Sequence, residues 1–331
     1  MPSKTLRNIL IGTTLSEGSD AVVKAGLALA EASGATAHLV HVCPPLTAFG
    51  PLPAANPVDQ EAWLAAEIAT LQDQLAAQGR RTGLAFHDGG RGGRGRIELG
   101  LPYRVIEELA GTLQADLVVI GAAETGHAGN HHLLHLGSTA DRVIRKVACP
   151  VLLVRAASPF PPHRVLVPVD FSAGSAAALR YGLALLGELD GKPPAAEVLF
   201  VLSPGESSIH FNSDQLARFA VEELQLFVAR NLPAQSATAT RKVRAGRTVE
   251  QILNEIEEGH PDLVILGPQG RSGLERVLIG SVAEKVLRQS PCSILVVPPE
   301  TARRELLEIE RKAGADWSFV SDEMPQLAGA L

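Results

Sequence analysis

Eight short apolar runs punctuate the chain: "NILIG", "AHLVHV", "DLVVIG" and "VLLV" in its first half, then "RVLVPV", "EVLFVL", "DLVILG" and "SILVV" in its second. None alternates apolar with polar positions, and Val, Ile and Leu dominate. That pattern predicts strands buried on both faces, as in a parallel sheet. Between them lie stretches with charged faces at helical spacing, such as "EAWLAAEIATLQDQLAAQG" and "SDQLARFAVEELQLFVARNL". Strand and helix in alternation predict βαβ units with right-handed crossovers, hence a doubly wound α/β architecture of the Rossmann-like kind. Ligands of such sheets lie beyond the carboxyl ends of the strands, at the point where the strand order reverses. The strand exits are therefore where chemistry is expected.

The pattern occurs twice. "RNILIGTTLSEGSDAVVKAGLALA", from Arg7, parallels "HRVLVPVDFSAGSAAALRYGLALL", from His163. Gly100 precedes Asp116 by the same sixteen positions that separate Gly246 from Asp262, and "GSTADRVIRKVACPVLLV" aligns without a gap on "GSVAEKVLRQSPCSILVV". A correspondence in this order indicates a duplicated domain. The segment "AASPFPPH" between the copies holds three prolines, which fix φ and remove donors, and so predicts a stiff extended linker. The expected divisions are a first domain over 1–157, a second over 158–300 and a tail over 301–331. The fifth strands, "PVLLV" and "SILVV", are expected to pair across a pseudo-twofold axis, making an internal pseudo-dimer.

In the second half the first strand exits as "VPVDFSAGS". Asp170 there reads either as a turn or capping carboxylate, or as an acceptor for a ribose hydroxyl or an outer partner of a phosphate-bound Mg²⁺. Ser172 can cap the helix that follows. The fourth strand exits into "GPQGRSGLERVLIGS". Gly267 and Gly270 would admit a ligand close to the backbone. Gly280 and Ser281 open a helix whose unpaired amides and dipole favour an anion, with Ser281 as its N-cap or as a hydroxyl donor. Arg271 reads as a solvated loop charge or as a clamp on distal phosphates. The absence of a lysine after the glycines excludes the GxxxxGK[ST] phosphate loop, and "GPQGRSG" does not satisfy GxGxxG.

The spacing Gly267-x2-Gly270-x9-Gly280-Ser281, with Pro168-Val169-Asp170 at the first strand exit, resembles the ATP-binding subgroup of the universal stress protein family. The resemblance covers about residues 5–299, as a tandem pair. It implies a five-stranded parallel sheet flanked by helices in each copy. It further implies ATP, with Mg²⁺, or ADP or AMP, as the bound nucleotide. Adenine would meet the backbone of Val201, and phosphate the amide of Val282. Members of the family act mostly as stress-linked regulators, so the expected function is that of an adenine-nucleotide-binding stress-response protein. A slow ATPase and a protein-interaction scaffold are the alternatives. No base is evident beyond Asp170, with Glu275 and Glu284 on flanking segments.

The first half departs from this pattern. Thr14 stands where the aspartate would be, Glu124 where the second glycine would be, and twelve residues rather than nine separate Glu124 from Gly137. A carboxylate facing a polyphosphate costs roughly 1–4 kcal/mol by Coulomb's law. The first half is thus expected to bind no nucleotide, or to bind something else. His127, His131, His132 and His135 fall in this loop, at a spacing that can ligate Zn²⁺ or Ni²⁺, but the preferred reading is a polar surface loop in a decayed site, with no metal. The run "HDGGRGGRGRIELG" could reach a phosphate or RNA, but being single, short and free of aromatics it reads rather as a mobile connection.

Charge and cysteine usage narrow the classes further. Among 331 residues the net charge is −6 and aromatic residues make up 4%. That balance argues against a nucleic-acid binder. No apolar run reaches the ~20 residues that span a bilayer. The N-terminal sequence does not read as a signal peptide. Three scattered cysteines, Cys43, Cys149 and Cys292, offer neither a disulfide framework nor a metal motif. A reduced, cytoplasmic setting is expected. The tail carries Trp317 and Phe319, which read either as packing on their own domain or as a docking segment for the other half or for a second subunit of a homodimer.

Overall fold

The computed structural model describes residues 6–44, 57–83, 94–122, 136–187, 189, 194–203, 213–232, 239–269 and 279–298. The first half runs β1 (Asn8–Thr13), α1 (Asp20–Ser33), β2 (Thr36–Cys43), α2 (Pro57–Thr82), β3 (Arg94–Leu99), α3 (Pro102–Thr112), β4 (Leu117–Gly121), α4 (Ser138–Lys146) and β5 (Val151–Val154). The second half repeats it as β6 (Arg164–Val169), α5 (Ala173–Gly187), β7 (Ala195–Leu202), α6 (Ser213–Asn231), β8 (Thr240–Ala245), α7 (Thr248–Gly259), β9 (Leu263–Leu266), α8 (Ser281–Gln289) and β10 (Ser293–Val296). All eight apolar runs are strands. The two strands that hydrophobicity does not reveal are β3 and β8, "RGRIEL" and "TRKVRA". They are the outermost strands of the sheet, so they need no apolar face on both sides. The stretch read as a mobile Gly/Arg connection therefore ends in a strand from Arg94.

The ten strands form one sheet in the order β3-β2-β1-β4-β5-β10-β9-β6-β7-β8. Within each half all pairings are parallel, and the order reverses between β1 and β4 and between β6 and β9. The two halves join through one antiparallel pair, with Val151 opposite Val296, Leu152 opposite Leu295 and Leu153 opposite Ile294. In the repeat Val151 corresponds to Ile294 and Leu153 to Val296, so the outer pairs exchange under a twofold rotation and Leu152–Leu295 lies on its axis. Every residue of both strands is buried.

Duplication is visible in side chains as well. Asp116 Oδ2 accepts from the amides of Arg7 (2.7 Å) and Asn8 (3.0 Å), and Asp262 Oδ2 accepts from those of His163 (2.7 Å) and Arg164 (3.0 Å). The paired aspartates thus tie the loop before one strand to the start of its neighbour. Across the pseudo-twofold, α4 and α8 exchange charges. Arg145 lies 3.1 Å from Asp141 and 3.7 Å from Glu284, while Arg288 lies 3.3 Å from Glu284 and 3.6 Å from Asp141. These groups are partly exposed, so each pair contributes at most about 1 kcal/mol and serves alignment more than stability.

The linker differs from the extended expectation. Arg155 and Ser158 close a turn (Ser158 N to Arg155 O, 2.9 Å), and the Ser158 hydroxyl accepts from the amide of Ser293 at 3.0 Å. Arg155 is buried at the junction. Its guanidinium donates to the Leu287 carbonyl at 3.4 Å, and burial pulls its pKa below the usual arginine range. These hydrogen bonds draw the chain back onto β10, which overrides the stiffness that its prolines supply.

A cluster of charges on the second half links stability to pH. Glu255 of α7, only 3% exposed, accepts from Lys242 Nζ (2.7 Å) and Arg244 Nε (2.5 Å), and Arg244 also pairs with Glu258. Burial raises the Glu255 pKa, but the hydrogen bonds from Lys242 and Arg244 outweigh it and hold the carboxyl below its ordinary value. Glu197 of β7 is pushed the other way, first by burial and then by the Glu255 charge. A carboxyl with a raised folded pKa binds more protons folded than unfolded, so its contribution falls as pH rises from the ordinary value near 4.5 through the folded value. Glu197→Gln is therefore expected to raise the melting temperature at pH 7.5 and to change it little at pH 4.5. Melting curves across that range check this, and an unchanged difference at the two pH values would refute it.

Candidate functional site

The carboxyl ends of β6, β7 and β9 and the start of α8 enclose a cleft of about 370 Å³. Its lining includes Pro168, Asp170, Val201, Gly267, Gly280, Ser281 and Val282. Seven of the nine residues singled out in the sequence thus meet at one cavity. Gly270 and Arg271 lie outside the described residues, as do Glu124, the four loop histidines and the tail aromatics.

At the β6 exit, Asp170 Oδ1 accepts from both the amide (3.1 Å) and the hydroxyl (2.5 Å) of Ser172. The Ser172 hydroxyl in turn accepts from the amide of Ser175 (3.1 Å), which makes Ser172 the cap of α5. The turn aspartate and the cleft aspartate are one and the same residue, since the short Asx turn fixes a carboxylate that also lines the cavity. Phe171 between them holds φ at 63°, a left-handed value that is unusual for a non-glycine residue. Its ring stacks on Phe200 with centroids 4.4 Å apart and meets Phe227 edge-on at 5.4 Å. Leu15 repeats this backbone in the first half, with φ 64°. The strained turn is a property of the fold that the aromatic stack secures in the second copy.

On the opposite wall, α8 begins at Gly280, its N-cap, and Ser281 is the first helical residue. Of the two roles weighed for Ser281, the capping one is thus taken by Gly280. The first intrahelical amide bond is Glu284 N to Gly280 O (2.9 Å), so the amides of Ser281, Val282 and Ala283 have no acceptor within the helix, and all three residues line the cleft. The Gly280 amide donates to the Pro268 carbonyl at 2.7 Å, closing the loop back onto the β9 exit.

Gly267 has a packing reason beside the one its sequence suggests. A Cβ there would fall 3.1 Å from the carbonyl carbon and oxygen of Gly174, in the first turn of α5. Its small size lets helix and strand exit approach one another, whether or not a ligand is present. Sequence reading also missed Ser203, Thr248 and Gln269, which line the cleft. Ser203 and Thr248 share a hydrogen bond of 2.8 Å. The internal repeat carried one signal, because Thr248 follows Gly246 at the strand exit that corresponds to Gly100.

The first half keeps a cleft of the same size, about 370 Å³, at the same strand exits. Thr14 stands there for Asp170, and Pro102 for Thr248. His41 replaces Phe200, while Gly121, Gly137 and Ser138 persist. Along its wall, where Thr13 and Ser19 also lie, Thr13 Oγ1 donates to Gln78 Oε1 (2.7 Å), and Gln78 Nε2 donates to Ser19 Oγ (2.9 Å) and Asp20 Oδ1 (2.8 Å). Arg81 completes the set through a two-pronged bond to Asp20, and its guanidinium holds that carboxyl below the usual range. Polar groups of the first half are thus spent on tying α2 to α1.

Neither cleft presents an activated thiol. Burial raises the thiol pKa of Cys43 and Cys292. Among the described residues no group of three or more His, Cys, Asp or Glu side chains could hold a metal ion, and no helix is long and apolar enough to cross a membrane.

A model of the universal stress protein family matches the chain twice, over residues 5–155 and 162–298. The chain belongs to this family. Each match covers one five-stranded half, so it is a tandem universal stress protein. It is 30% identical over 138 residues to a universal stress protein of Methanocaldococcus jannaschii, spanning 40% of this chain and 81% of that one. A universal stress protein of Mycobacterium tuberculosis is 28% identical over 196 residues, 55% of this chain and 62% of its own. The crystal structure of a universal stress protein from Archaeoglobus fulgidus matches with a TM-score of 0.61 at 19% identity, covering 90% of this chain and 100% of that one. One from Pseudomonas aeruginosa gives 0.60 at 17%, covering 93% and 99%. At these identities the structures establish the shared fold.

Gly267→Ala is expected to lower stability by roughly 1–3 kcal/mol through overpacking against Gly174. Urea denaturation with no nucleotide present measures this. A neutral result would return Gly267 to a purely ligand-facing role.

Proposed function

We propose that the chain is a stress-response regulator whose second domain binds an adenine nucleotide, ATP with Mg²⁺ or else ADP or AMP, while the first domain does not. What supports this reading is the convergence on one cavity of a carboxylate at the β6 exit and an open helix N-terminus at the β9 exit. The two present opposite electrostatic preferences. Asp170, held by Ser172, suits a ribose hydroxyl or the outer shell of a phosphate-bound Mg²⁺. The amides of Ser281, Val282 and Ala283, at the positive end of the α8 dipole, suit phosphate. Val201 lies where adenine would meet backbone, and Arg271 would clamp the distal phosphates. A lone carboxylate suits Mg²⁺, which keeps most of its shell as water and phosphate oxygen.

The regulatory reading is preferred over a slow ATPase because Asp170 is the carboxylate among the cleft-lining residues, and its Oδ1 is engaged by Ser172. Activation of water requires a base with access to it. The second domain would then report nucleotide state rather than turn nucleotide over, in the cytoplasm, as a monomer or homodimer.

Calorimetric titration of nucleotide-stripped protein with Mg·ATP is expected to give one saturable site. Gly280→Val should abolish it by filling the phosphate approach. Asp170→Ala should weaken it by roughly tenfold, about the 1.4 kcal/mol of one charge-assisted hydrogen bond. Two sites per chain, or a single site indifferent to Gly280→Val, would overturn the assignment.

A further inference from the structure

Two clusters of cations described above are matched by carboxylates: Lys242 and Arg244 by Glu255 and Glu258, Arg145 and Arg288 by Asp141 and Glu284. A third cluster, on α3 and α4, is not. Around the ring of Tyr103 stand Arg142 at 4.6 Å from the centroid, Lys146 at 5.4 Å and Arg104 at 6.0 Å. Arg104 Nε also donates to the phenol oxygen at 3.1 Å. Glu107 lies 3.2 Å from Lys146, but no carboxylate among the described residues pairs with Arg104 or Arg142. Arg142 and Lys146 are four apart on one helix, where like charges repel. The negative face of a single ring offsets part of that repulsion.

The fold does not impose this arrangement, because the second half lacks it. Val249 stands there for Tyr103, Glu250 for Arg104, Lys285 for Arg142 and Gln289 for Lys146. Two exposed leucines precede the first-half cluster along the chain, Leu99 (48% exposed) and Leu101 (44%), where the second half has Ala245 and Arg247. Unmatched guanidinium groups, an aromatic ring and exposed leucines together suit an acidic segment that also carries apolar side chains.

The chain contains such a segment. Residues 316–324 read "DWSFVSDEM", with three acids, no base, and Trp317, Phe319, Val320 and Met324. We infer that this tail segment docks on the α3–α4 patch of its own chain. Its carboxylates face Arg104 and Arg142, and its aromatic side chains cover Tyr103 and the two leucines. The connection is long enough. β10 runs antiparallel to β5, so the tail leaves at the edge of the sheet opposite the start of α3. Five strand spacings separate β10 from β3, about 24 Å, and a strand of six residues adds about 20 Å along the sheet. Residues 299–315 between them can span up to ~60 Å.

Acrylamide quenching of Trp317 in the full chain tests this. The chain has two tryptophans, so Trp63→Phe leaves Trp317 as the reporter. Its quenching constant is expected to be at least roughly twofold below that of a synthetic peptide of residues 311–331, because a protein surface shields the docked indole. Arg104→Glu with Arg142→Glu should raise it to the peptide value, while circular dichroism establishes that the variant is folded. Adding Asp322→Lys and Glu323→Lys to that variant exchanges the charges and should lower the constant again. Quenching equal to the peptide from the outset would overturn the inference, as would protection that the two glutamates leave intact. Failure of the exchanged charges to restore protection would refute the pairing. Protection that disappears on dilution would place the tail on another copy and overturn its assignment to its own chain.

Discussion

The antiparallel pairing of β5 with β10 is the contact on which the rest of the molecule depends. Each half, taken alone, would end in a fully apolar strand with a row of unpaired backbone groups, the edge that sheet proteins avoid exposing. Joined, the two edges satisfy one another and bury Leu152, Leu153, Ile294 and Leu295, each worth roughly 1.5–3 kcal/mol. The Arg155–Ser158 turn and the charges shared by α4 and α8 are consequences of that pairing. They hold register and tether but would not substitute for it.

The same pairing fixes where the clefts face. Strands run parallel within a half and antiparallel across the junction, so the carboxyl ends of the two halves point in opposite directions. The two cavities therefore open at opposite edges of one sheet. Between them α4 and α8 lie with the first turn of each beside the last turn of the other, as the Asp141–Arg288 and Arg145–Glu284 contacts require. Acidic side chains sit near each helix start and basic ones near each end, the arrangement that helix dipoles favour. Because, among the described residues, neither cavity borrows from the other half, one copy could change its lining without cost to the other. Thr14 for Asp170 and Pro102 for Thr248 are changes of that kind.

Much of this was legible in the sequence because the relevant signals were strong and repeated. The central strands announced themselves as unbroken aliphatic runs, and the repeat placed Thr14 opposite Asp170 without any structure. The pairing of the fifth strands was expected from the duplication, which makes an internal pseudo-dimer. What escaped had weak local signal. β3 and β8 are polar because they are edges, and an edge strand reads like a loop. Ser203 and Thr248 are small hydroxyl residues whose importance lies in where two strand exits converge. The packing of Gly267 against Gly174 was not legible, since nothing in a sequence tells a glycine facing a ligand from one that also faces a helix. The linker misled for a related cause, as proline content speaks of local stiffness while Ser158 answers to a distant amide on β10.

The polarity of those outer strands sets a limit on assembly. A sheet that has already joined two domains by their edges could in principle recruit a third and go on into a filament. The remaining borders are the polar strands β3 and β8, where Arg96 pairs with Glu98 and where Lys242 and Arg244 pair with Glu255, so neither offers the apolar edge that invites further pairing. The internal junction is thus a reaction that terminates itself: the chain consumes its apolar pair of edges in folding and leaves polar strands at both borders of the sheet.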